Sequence, residues 1–244
     1  MRNRNYYRLY VLALLWTAAL LRFVDLQILA VLLEPIKAEF RLSDTQLALL
    51  GGLAFALLYG VLGIPVAWLA ERYNRRTIIA IAVSLWSLMT MLCGQAGSFA
   101  ALFLARIGVG VGEAGAYPPT TSLLADYFPP SLRGRACAVL ASAIPIGVLV
   151  GYLAGGLINA HLGWRLTMQW LGLPGVMLGC LLLLTLKEPV RGATDDQPWP
   201  GSSRTFWQCS VALWRRQGYA SLVAAACLFT LGASGSGLWM AAFF

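Results

Sequence analysis

The chain has 244 residues, of which 59% are hydrophobic and only 11% are charged, and its mean hydropathy is +0.71. Soluble domains carry about 25% charged residues, so this composition argues against a soluble all-helical protein. The formal net charge of +8 is compatible with nucleic-acid binding, but the placement of the basic residues along the chain indicates a different origin.

Six apolar runs follow one another along the chain. At ~1.5 Å per helical residue, each is long enough to cross the ~30 Å hydrocarbon layer of a bilayer. The runs cover residues 10–33, 45–70, 77–97, 100–124, 136–160 and 165–186. A seventh begins near Tyr219 and continues to Phe244. The spacing of Ser43 and Gln46 predicts a capping box that opens the second helix. The sequence therefore predicts an all-α polytopic membrane protein.

The basic residues are distributed unevenly over the loops between these runs. When the loops are assigned alternately to the two sides of the membrane, most of the 18 basic residues fall on the side of the N-terminus. Only Lys37, Arg41 and Arg165 fall on the other side. The positive-inside rule then predicts a cytoplasmic N-terminus and a cell (inner) membrane location. The excess of basic charge reflects membrane topology, and nucleic acid is not expected as a partner.

A polar stretch rich in proline and glycine, 187–217, follows the sixth run and is typical of a cytoplasmic linker. Within it, the segment 207–216 is predicted to form an amphipathic surface helix. We therefore expect a six-helix transmembrane domain over 1–186, the linker over 187–217, and over 218–244 the truncated start of a second transmembrane half. The missing half, or self-association, would complete the protein.

Four charged residues lie inside the apolar runs: Arg22 and Asp25 in the first, Arg106 and Glu113 in the fourth. A charge within hydrocarbon costs roughly 2.5–3.5 kcal/mol on insertion scales, so such residues are usually paired or functional. We expect Asp25 to pair with Arg22 and Glu113 with Arg106. A carboxyl group beside a movable arginine can couple proton binding to conformation. Asp25 and Glu113 are therefore candidate proton carriers, with static ion pairs or a snorkelling Arg106 as the alternatives.

The loop between the second and third runs carries an acid followed by basic residues: Glu71, Arg72, Arg75 and Arg76. With Ala67 and Asn74 in the place of two glycines, it resembles the signature loop of the major facilitator superfamily. Asn74 is expected to keep the turn tight by tolerating left-handed backbone. The resemblance implies a twelve-helix fold, of which this chain would be the N-terminal half plus part of helix seven. It also implies a cytoplasmic gate, in which Asp126 pairs with Arg72 or Arg75; a plain positive-inside cluster is the alternative.

Within that superfamily the chain resembles the bacterial spinster-like members in particular. The similar segments are 23–29, 33–37, 42–46 and 106–114. The chain departs from their pattern at Arg22 and Leu26, where asparagine and arginine are usual. The resemblance implies export of lipid-like solutes and linkage to protons.

The predicted function is alternating-access transport of a small organic anion or an amphipathic lipid-like solute. We expect a proton-coupled secondary transporter and not an enzyme. An uncoupled facilitator and a truncated, non-transporting membrane protein are the alternatives. The candidate substrate-binding residues are Arg22, Arg106, Gln27, Tyr59 and Tyr117. No catalytic triad, metal cluster or cofactor motif is found in the sequence, and the glycine pattern at 110–115 lies inside an apolar helix, where a nucleotide site is not expected.

Overall fold

The computed structural model describes residues 2–50, 54–195, 205–225 and 227–228. Over these ranges the secondary structure is helical and contains no strand, which confirms the predicted all-α class. The helices are α1 Arg2–Phe40, α2 Asp44–Ala48, α3 Ala54–Arg72, α4 Arg75–Cys93, α5 Phe99–Ala114, α6 Tyr117–Tyr127, α7 Pro130–Thr185 and α8 Phe206–Trp214. The chain divides into two compact units, Met1–Pro200 and Gly201–Phe244.

Several described helices are long and apolar enough to cross a membrane. By length and composition they are Asn5–Phe40, Arg75–Cys93, Phe99–Tyr127 and Pro130–Thr185. The last has 56 residues, so it would extend for about 84 Å if it were straight. That length is well over twice the ~30 Å of the hydrocarbon layer, and a single straight crossing is therefore excluded.

Helix α7 is a hairpin that reverses at Gly163, whose φ of 75° and ψ of 166° are not helical. Glycine adopts this backbone without the steric cost that a Cβ would add. Arg165, just after the bend, pairs with Glu39 near the end of α1. Thr185, the last residue of α7, accepts a hydrogen bond from Tyr7 near the start of α1. The two arms of α7 therefore run antiparallel, in agreement with the predicted runs 136–160 and 165–186.

The helix that follows the first connection begins as predicted. The Ser43 hydroxyl accepts a hydrogen bond from the Gln46 backbone N–H at 3.3 Å, and the Gln46 side chain accepts one from the Ser43 N–H at 2.9 Å. This confirms the capping box. The predicted run 45–70 is divided in the structure into α2 and α3, and residues 51–53 lie outside the described part of the chain.

The fourth apolar run, predicted over 100–124, lies within one candidate membrane span, Phe99–Tyr127, but its helix is interrupted near the middle. Helix α5 ends at Ala114 and α6 begins at Tyr117. The reason is the Pro118–Pro119 pair, because proline has no N–H to continue the hydrogen bonding of a preceding helix but is well suited to the first turn of a new one. The break leaves the side chain of Tyr117 more than half exposed.

The first arm of α7 packs closely on α1 through glycines spaced by four residues. A Cβ atom on Gly147 would lie 2.7 Å from the Phe23 Cβ and 2.8 Å from the Leu20 carbonyl oxygen. A Cβ on Gly151 would lie 2.9 Å from the Gln27 Cβ. These distances are too short for real side chains, so the absence of a Cβ permits the contact. Small residues at this spacing let α1 and the first arm of α7 approach closely.

The second unit contains α8, which overlaps the amphipathic helix predicted over 207–216 and confirms it as a helix. Thr205 and Gln208 form a capping box at its start. Residues 219–225 and 227–228 are helical, where the seventh apolar run was predicted to begin, and the rest of that run lies outside the described residues. The domain boundaries given above stay predictions.

We predict that Gly147→Ala destabilises the protein, because its new methyl group would collide with backbone and Cβ atoms of α1. Overpacking of this kind costs about 1–3 kcal/mol, and the measurement is the thermal unfolding temperature of the purified protein in detergent. Gly156→Ala is the matched control, since a Cβ there meets nothing within 4 Å. Equal unfolding temperatures for the two variants would contradict the close contact.

Candidate functional site

The centre of the helical bundle contains a buried ion pair between α1 and α5. The Arg22 Nε donates to the Glu113 Oε2 at 2.9 Å. The Glu113 side chain is fully buried, while 14% of the Arg22 side chain is exposed. Within the described residues, the other Glu113 oxygen, Oε1, accepts no hydrogen bond. Arg22 thus provides a direct charge-assisted hydrogen bond to Glu113.

A second buried ion pair joins the same two helices. The Asp25 Oδ2 lies 3.6 Å from the Arg106 Nη1, and both side chains are at most 8% exposed. The Thr90 hydroxyl, on α4, donates to the Asp25 Oδ1 at 2.7 Å. Thr90 was not among the predicted site residues, because a single threonine in an apolar run gives no sequence signal of a polar partner.

The pairing of the four charges differs from the predicted one. Asp25 was expected to pair with Arg22, and Glu113 with Arg106, each within its own helix. In the structure Arg22 pairs with Glu113 and Arg106 pairs with Asp25, so the predicted partners are wrong. The spacing of charges along one helix does not determine how two helices are rotated toward each other. In the structure each arginine side chain reaches the acid of the other helix and not the acid on its own helix.

A pocket of about 100 Å³ adjoins the first ion pair. Its walls are mainly apolar, and Arg22, Trp86, Tyr117 and Thr120 provide its polar groups. The pocket therefore offers one cation among apolar surfaces, a combination that suits a ligand with an anionic group and an apolar body.

The other predicted substrate residues do not line this pocket. Arg106 is 4% exposed and lies against Asp25, while the Cβ of Gln27 lies against Gly151 of α7. The side chain of Tyr59 lies outside the described part of the structure. Of the five predicted substrate residues, the structure places Arg22 and Tyr117 together at the pocket.

A second charged cluster lies at the end of the bundle where α3 meets α4. Arg75 is 1% exposed and pairs with Asp126 at 2.5 Å and with Glu188 at 2.7 Å. It also donates to the Ser122 hydroxyl at 2.9 Å. Of the two partners considered for Asp126, the structure selects Arg75. Glu188 was not predicted, because its position next to Pro189 marked only the end of a helix.

The turn between α3 and α4 is built differently from the prediction. Asn74 has φ −65° and ψ 112°, an extended conformation and not the expected left-handed one. Its side chain accepts a hydrogen bond from the Thr77 N–H at 3.1 Å. Asn74 therefore serves as the N-cap of α4, a position that favours asparagine strongly. The expectation of a left-handed residue at 74 is wrong.

The other predicted gate residues surround this turn. Arg72 stacks over the Trp68 ring at 4.2 Å, and Glu71 precedes it at the end of α3. The Arg76 backbone N–H donates to the Glu188 Oε2 at 2.9 Å, and its guanidinium donates to the Leu186 carbonyl at 3.0 Å.

The segment 188–195, here called the linker clasp, is fastened across the same end of the bundle. Arg191 donates to the carbonyls of Ala70 and Tyr73 at 2.8 Å, which satisfies the last turn of α3. The Gly192 N–H donates to Asp126 at 2.9 Å. Asp195 pairs with Arg133 at the start of α7. The linker clasp therefore ties α3, α6 and α7 together.

At the opposite end, the α7 bend is fixed by Arg165. Its guanidinium pairs with Glu39 at 2.6 Å and donates to the Gly94 and Ala96 carbonyls just beyond α4. The Trp164 indole N–H also donates to Glu39, at 2.6 Å. One arginine thus joins the ends of α1, α4 and the second arm of α7.

Long apolar helices that enclose paired charges and a mainly apolar pocket define a multi-pass membrane protein with an internal polar site. The Major Facilitator Superfamily model matches residues 15–244. The chain belongs to this superfamily and resembles its spinster members.

Individual relatives agree with this assignment. An MFS-type efflux pump of Mycolicibacterium smegmatis is 40% identical over 72% of this chain and 40% of its own length. The sphingosine-1-phosphate transporter SPNS2 of Danio rerio is 29% identical over 90% of this chain and 44% of its own. The crystal structure of a bacterial homologue of the human lysosomal transporter spinster, described as inward-facing and unoccupied, is 33% identical with a TM-score of 0.82. The match covers 97% of this chain and 55% of the chain of the spinster homologue.

This chain therefore spans less than half the length of these two curated relatives. Both are named for transport and not for catalysis, in agreement with the expectation that the chain is not an enzyme.

We predict that double-mutant cycles will distinguish the observed ion pair from the predicted one. Arg22→Gln with Glu113→Gln should show a coupling free energy of about 0.5–3 kcal/mol, the range for residues in direct contact. The cycle of Arg22→Gln with Asp25→Asn should show a smaller coupling. The measurement is the apparent free energy of unfolding in detergent, and a larger coupling in the second cycle would contradict the crossed pairing.

We also predict that Arg75→Lys destabilises the protein by about 2 kcal/mol, because lysine cannot reproduce a buried guanidinium that contacts two carboxylates and a hydroxyl. Thermal unfolding of the purified protein is the measurement. Arg135→Lys is the matched control at an exposed position of α7. If both substitutions have the same small effect, the Arg75 cluster does not stabilise this end of the bundle.

Proposed function

We propose that the full-length protein is a proton-coupled secondary transporter of the inner membrane with a cytoplasmic N-terminus. In this proposal it moves a small organic anion or an amphipathic lipid-like solute by alternating access. This chain supplies the six-helix N-terminal half and part of helix seven. The observation that carries the proposal is the position of Arg22, which lines an apolar pocket while it is bonded to a fully buried acid.

The substrate class follows from the chemistry of the pocket. A single accessible guanidinium recognises a carboxylate, sulfate or phosphate group by charge-assisted hydrogen bonds. The surrounding alanine, leucine and isoleucine side chains favour an apolar body next to that group. A lipid-like anion has both features, and the name of the Danio rerio relative gives such a molecule as its substrate.

Proton coupling would arise from competition for Arg22. A substrate anion that draws the guanidinium toward the pocket weakens its bond to Glu113. A carboxylate left without its cation in apolar surroundings favours its protonated, neutral form. Substrate binding and proton binding would then be linked through one side chain. Asp25, held by Arg106 and Thr90, is the second candidate proton carrier.

The cytoplasmic gate is proposed at the cluster around Arg75. In this proposal the two halves of the transporter meet on the cytoplasmic side at five residues of this chain: Glu71, Arg72, Arg75, Arg76 and Asp126. In this chain the linker clasp already engages Arg75 and Asp126. Gate opening would therefore include a change in how the clasp contacts this end of the bundle.

We predict that Asp25→Asn and Glu113→Gln each abolish substrate movement driven by a proton gradient and leave substrate exchange intact, because the neutral side chains cannot carry a proton. The measurement uses full-length protein in proteoliposomes, with a fluorescent lysophosphatidic acid as the anionic probe and lysophosphatidylcholine as the zwitterionic comparison. Asp44→Asn is the matched control, since that side chain is 82% exposed and lies outside the bundle.

The outcomes separate the competing functions. Driven movement that persists in both variants would contradict proton coupling through these acids. Movement in the parent protein that ignores the gradient would favour an uncoupled facilitator. No movement of either probe, by gradient or by exchange, in well-folded parent protein would favour a non-transporting membrane protein.

A further inference from the structure

Asp25 receives its hydrogen bond from a neutral side chain on a third helix. The Thr90 hydroxyl, on α4, donates to the Asp25 Oδ1 at 2.7 Å, and the two residues are 1% and 6% exposed. The other oxygen, Oδ2, lies 3.6 Å from the Arg106 Nη1 and accepts no hydrogen bond from the described residues. That distance is too long for a hydrogen bond. Arg106 therefore acts on Asp25 through its charge, and Thr90 supplies the hydrogen bond.

The hydroxyl of Thr90 is used differently from those of other helical threonines in the protein. A threonine inside a helix can donate to the carbonyl oxygen four residues earlier. Several described threonines make this bond: Thr17, Thr121, Thr167 and Thr185. Thr90 has one hydroxyl hydrogen to donate, and it points across the helix interface to Asp25 instead. Helix α4 thus presents a polar hydrogen to a buried acid of α1.

The two buried acids are consequently bonded by different chemistry. Glu113 accepts from the Arg22 guanidinium, a group that only donates. A hydroxyl donates to a carboxylate, and after rotation about its C–O bond it accepts a hydrogen bond from a protonated carboxyl group. Thr90 can therefore stay bonded to Asp25 in both protonation states, with no movement of either helix. In both states Asp25 keeps a hydrogen-bond partner, whose loss in a buried site costs free energy.

Charged and titratable side chains surround Asp25 on several sides. From α5, Arg106 pairs with it, and Glu113 is a second acid within electrostatic range. Cys93 lies within the same range on α4, and Arg22, one turn away on α1, is bonded to Glu113. The charged residues of α7 lie near its start and its bend. Arg106 favours the ionised form of Asp25, whereas burial and a second carboxylate favour the neutral form. The hydrogen bond from α4 shifts this balance.

We propose that Thr90 is a positioning residue for proton carriage, whose hydroxyl determines how readily Asp25 takes up and releases a proton. This inference rests on the proposed role of Asp25 as a proton carrier. A hydrogen bond to a carboxylate is stronger than one to a neutral carboxyl group. Removal of the hydroxyl therefore favours the protonated form of Asp25, so that proton uptake occurs at higher pH.

The test is infrared difference spectroscopy of the full-length protein in proteoliposomes, titrated with pH. It follows the carbonyl stretch of protonated carboxyl groups, and the band that Asp25→Asn removes is assigned to Asp25. Thr90→Val keeps the shape of the side chain and removes its hydroxyl. We expect it to raise the midpoint of this band by about one pH unit, a tenfold change in proton affinity. Thr90→Ser, which keeps the hydroxyl, should retain the parent midpoint.

The matched control is Thr167→Val, because that buried hydroxyl donates to a backbone carbonyl and not to an acid. It should leave the Asp25 midpoint unchanged. Thr90→Ala removes the same hydroxyl in a smaller side chain and carries the same expectation as Thr90→Val. Thermal unfolding shows whether each variant is folded.

The results distinguish failure of this inference from failure of the proposed function. An Asp25 midpoint that is unchanged in Thr90→Val and Thr90→Ala overturns the role of Thr90 and leaves Asp25 as a proton carrier. An equal rise in Thr90→Ser or in Thr167→Val overturns it too, because packing and not the hydroxyl is then responsible. If the parent protein has no band that Asp25→Asn removes, Asp25 takes up no proton, which overturns both this inference and proton coupling through Asp25.

Transport gives a second readout, which a purely structural role of Thr90 would not change. The pH at which proton-driven movement of the lysophosphatidic acid probe is half-maximal should rise in Thr90→Val by the same amount as the infrared midpoint. A lower rate at every pH with an unchanged midpoint would show that Thr90 only supports the fold, and it would contradict the inference.

Discussion

Two crossed ion pairs join α1 and α5 near the centre of the bundle. Each places opposite charges in surroundings where neither would be tolerated alone, so α1 can rotate or slide against α5 only if both pairs break. Thr90 extends this constraint to α4. The close contact of α1 with the first arm of α7, through Gly147 and Gly151, then fixes the remaining wall of the pocket. This packing of α1 leaves 14% of the Arg22 side chain exposed, at the pocket.

Much of this arrangement could be predicted from the sequence, and the limits of that prediction have a physical cause. The Ser43 capping box was predicted correctly, because it depends on neighbours within one turn. The backbone of Asn74 was not, because its side chain caps α4 from an extended conformation. The identity of the buried charges was also clear. Their partners were not, because pairing depends on how two helices rotate about their axes. Glu188 and Thr90 gave no signal for the same reason, since their partners are distant in sequence.

Both ends of the N-terminal bundle are closed by polar contacts. The linker clasp joins α3, α6 and α7 at one end, and Arg165 joins α1, α4 and α7 at the other. Buried and half-buried ion pairs of this kind resist small displacements, since a broken pair leaves a charge without a partner. The bundle is thus suited to move as one body. Near the centre, Arg22 lines the pocket while it is bonded to Glu113.

The crossed pairs also have a consequence for how the chain is assembled in the membrane. Arg22 and Glu113 are 91 positions apart, so during synthesis α1 reaches the bilayer well before α5 exists. Its two charges would each cost roughly 2.5–3.5 kcal/mol in lipid. At that stage the nearest acid to Arg22 in α1 is Asp25, one turn away. A same-helix pair would lower the free-energy cost of inserting α1 before α5 is present. The pairing in the structure then requires that the partners be exchanged once α5 is in place.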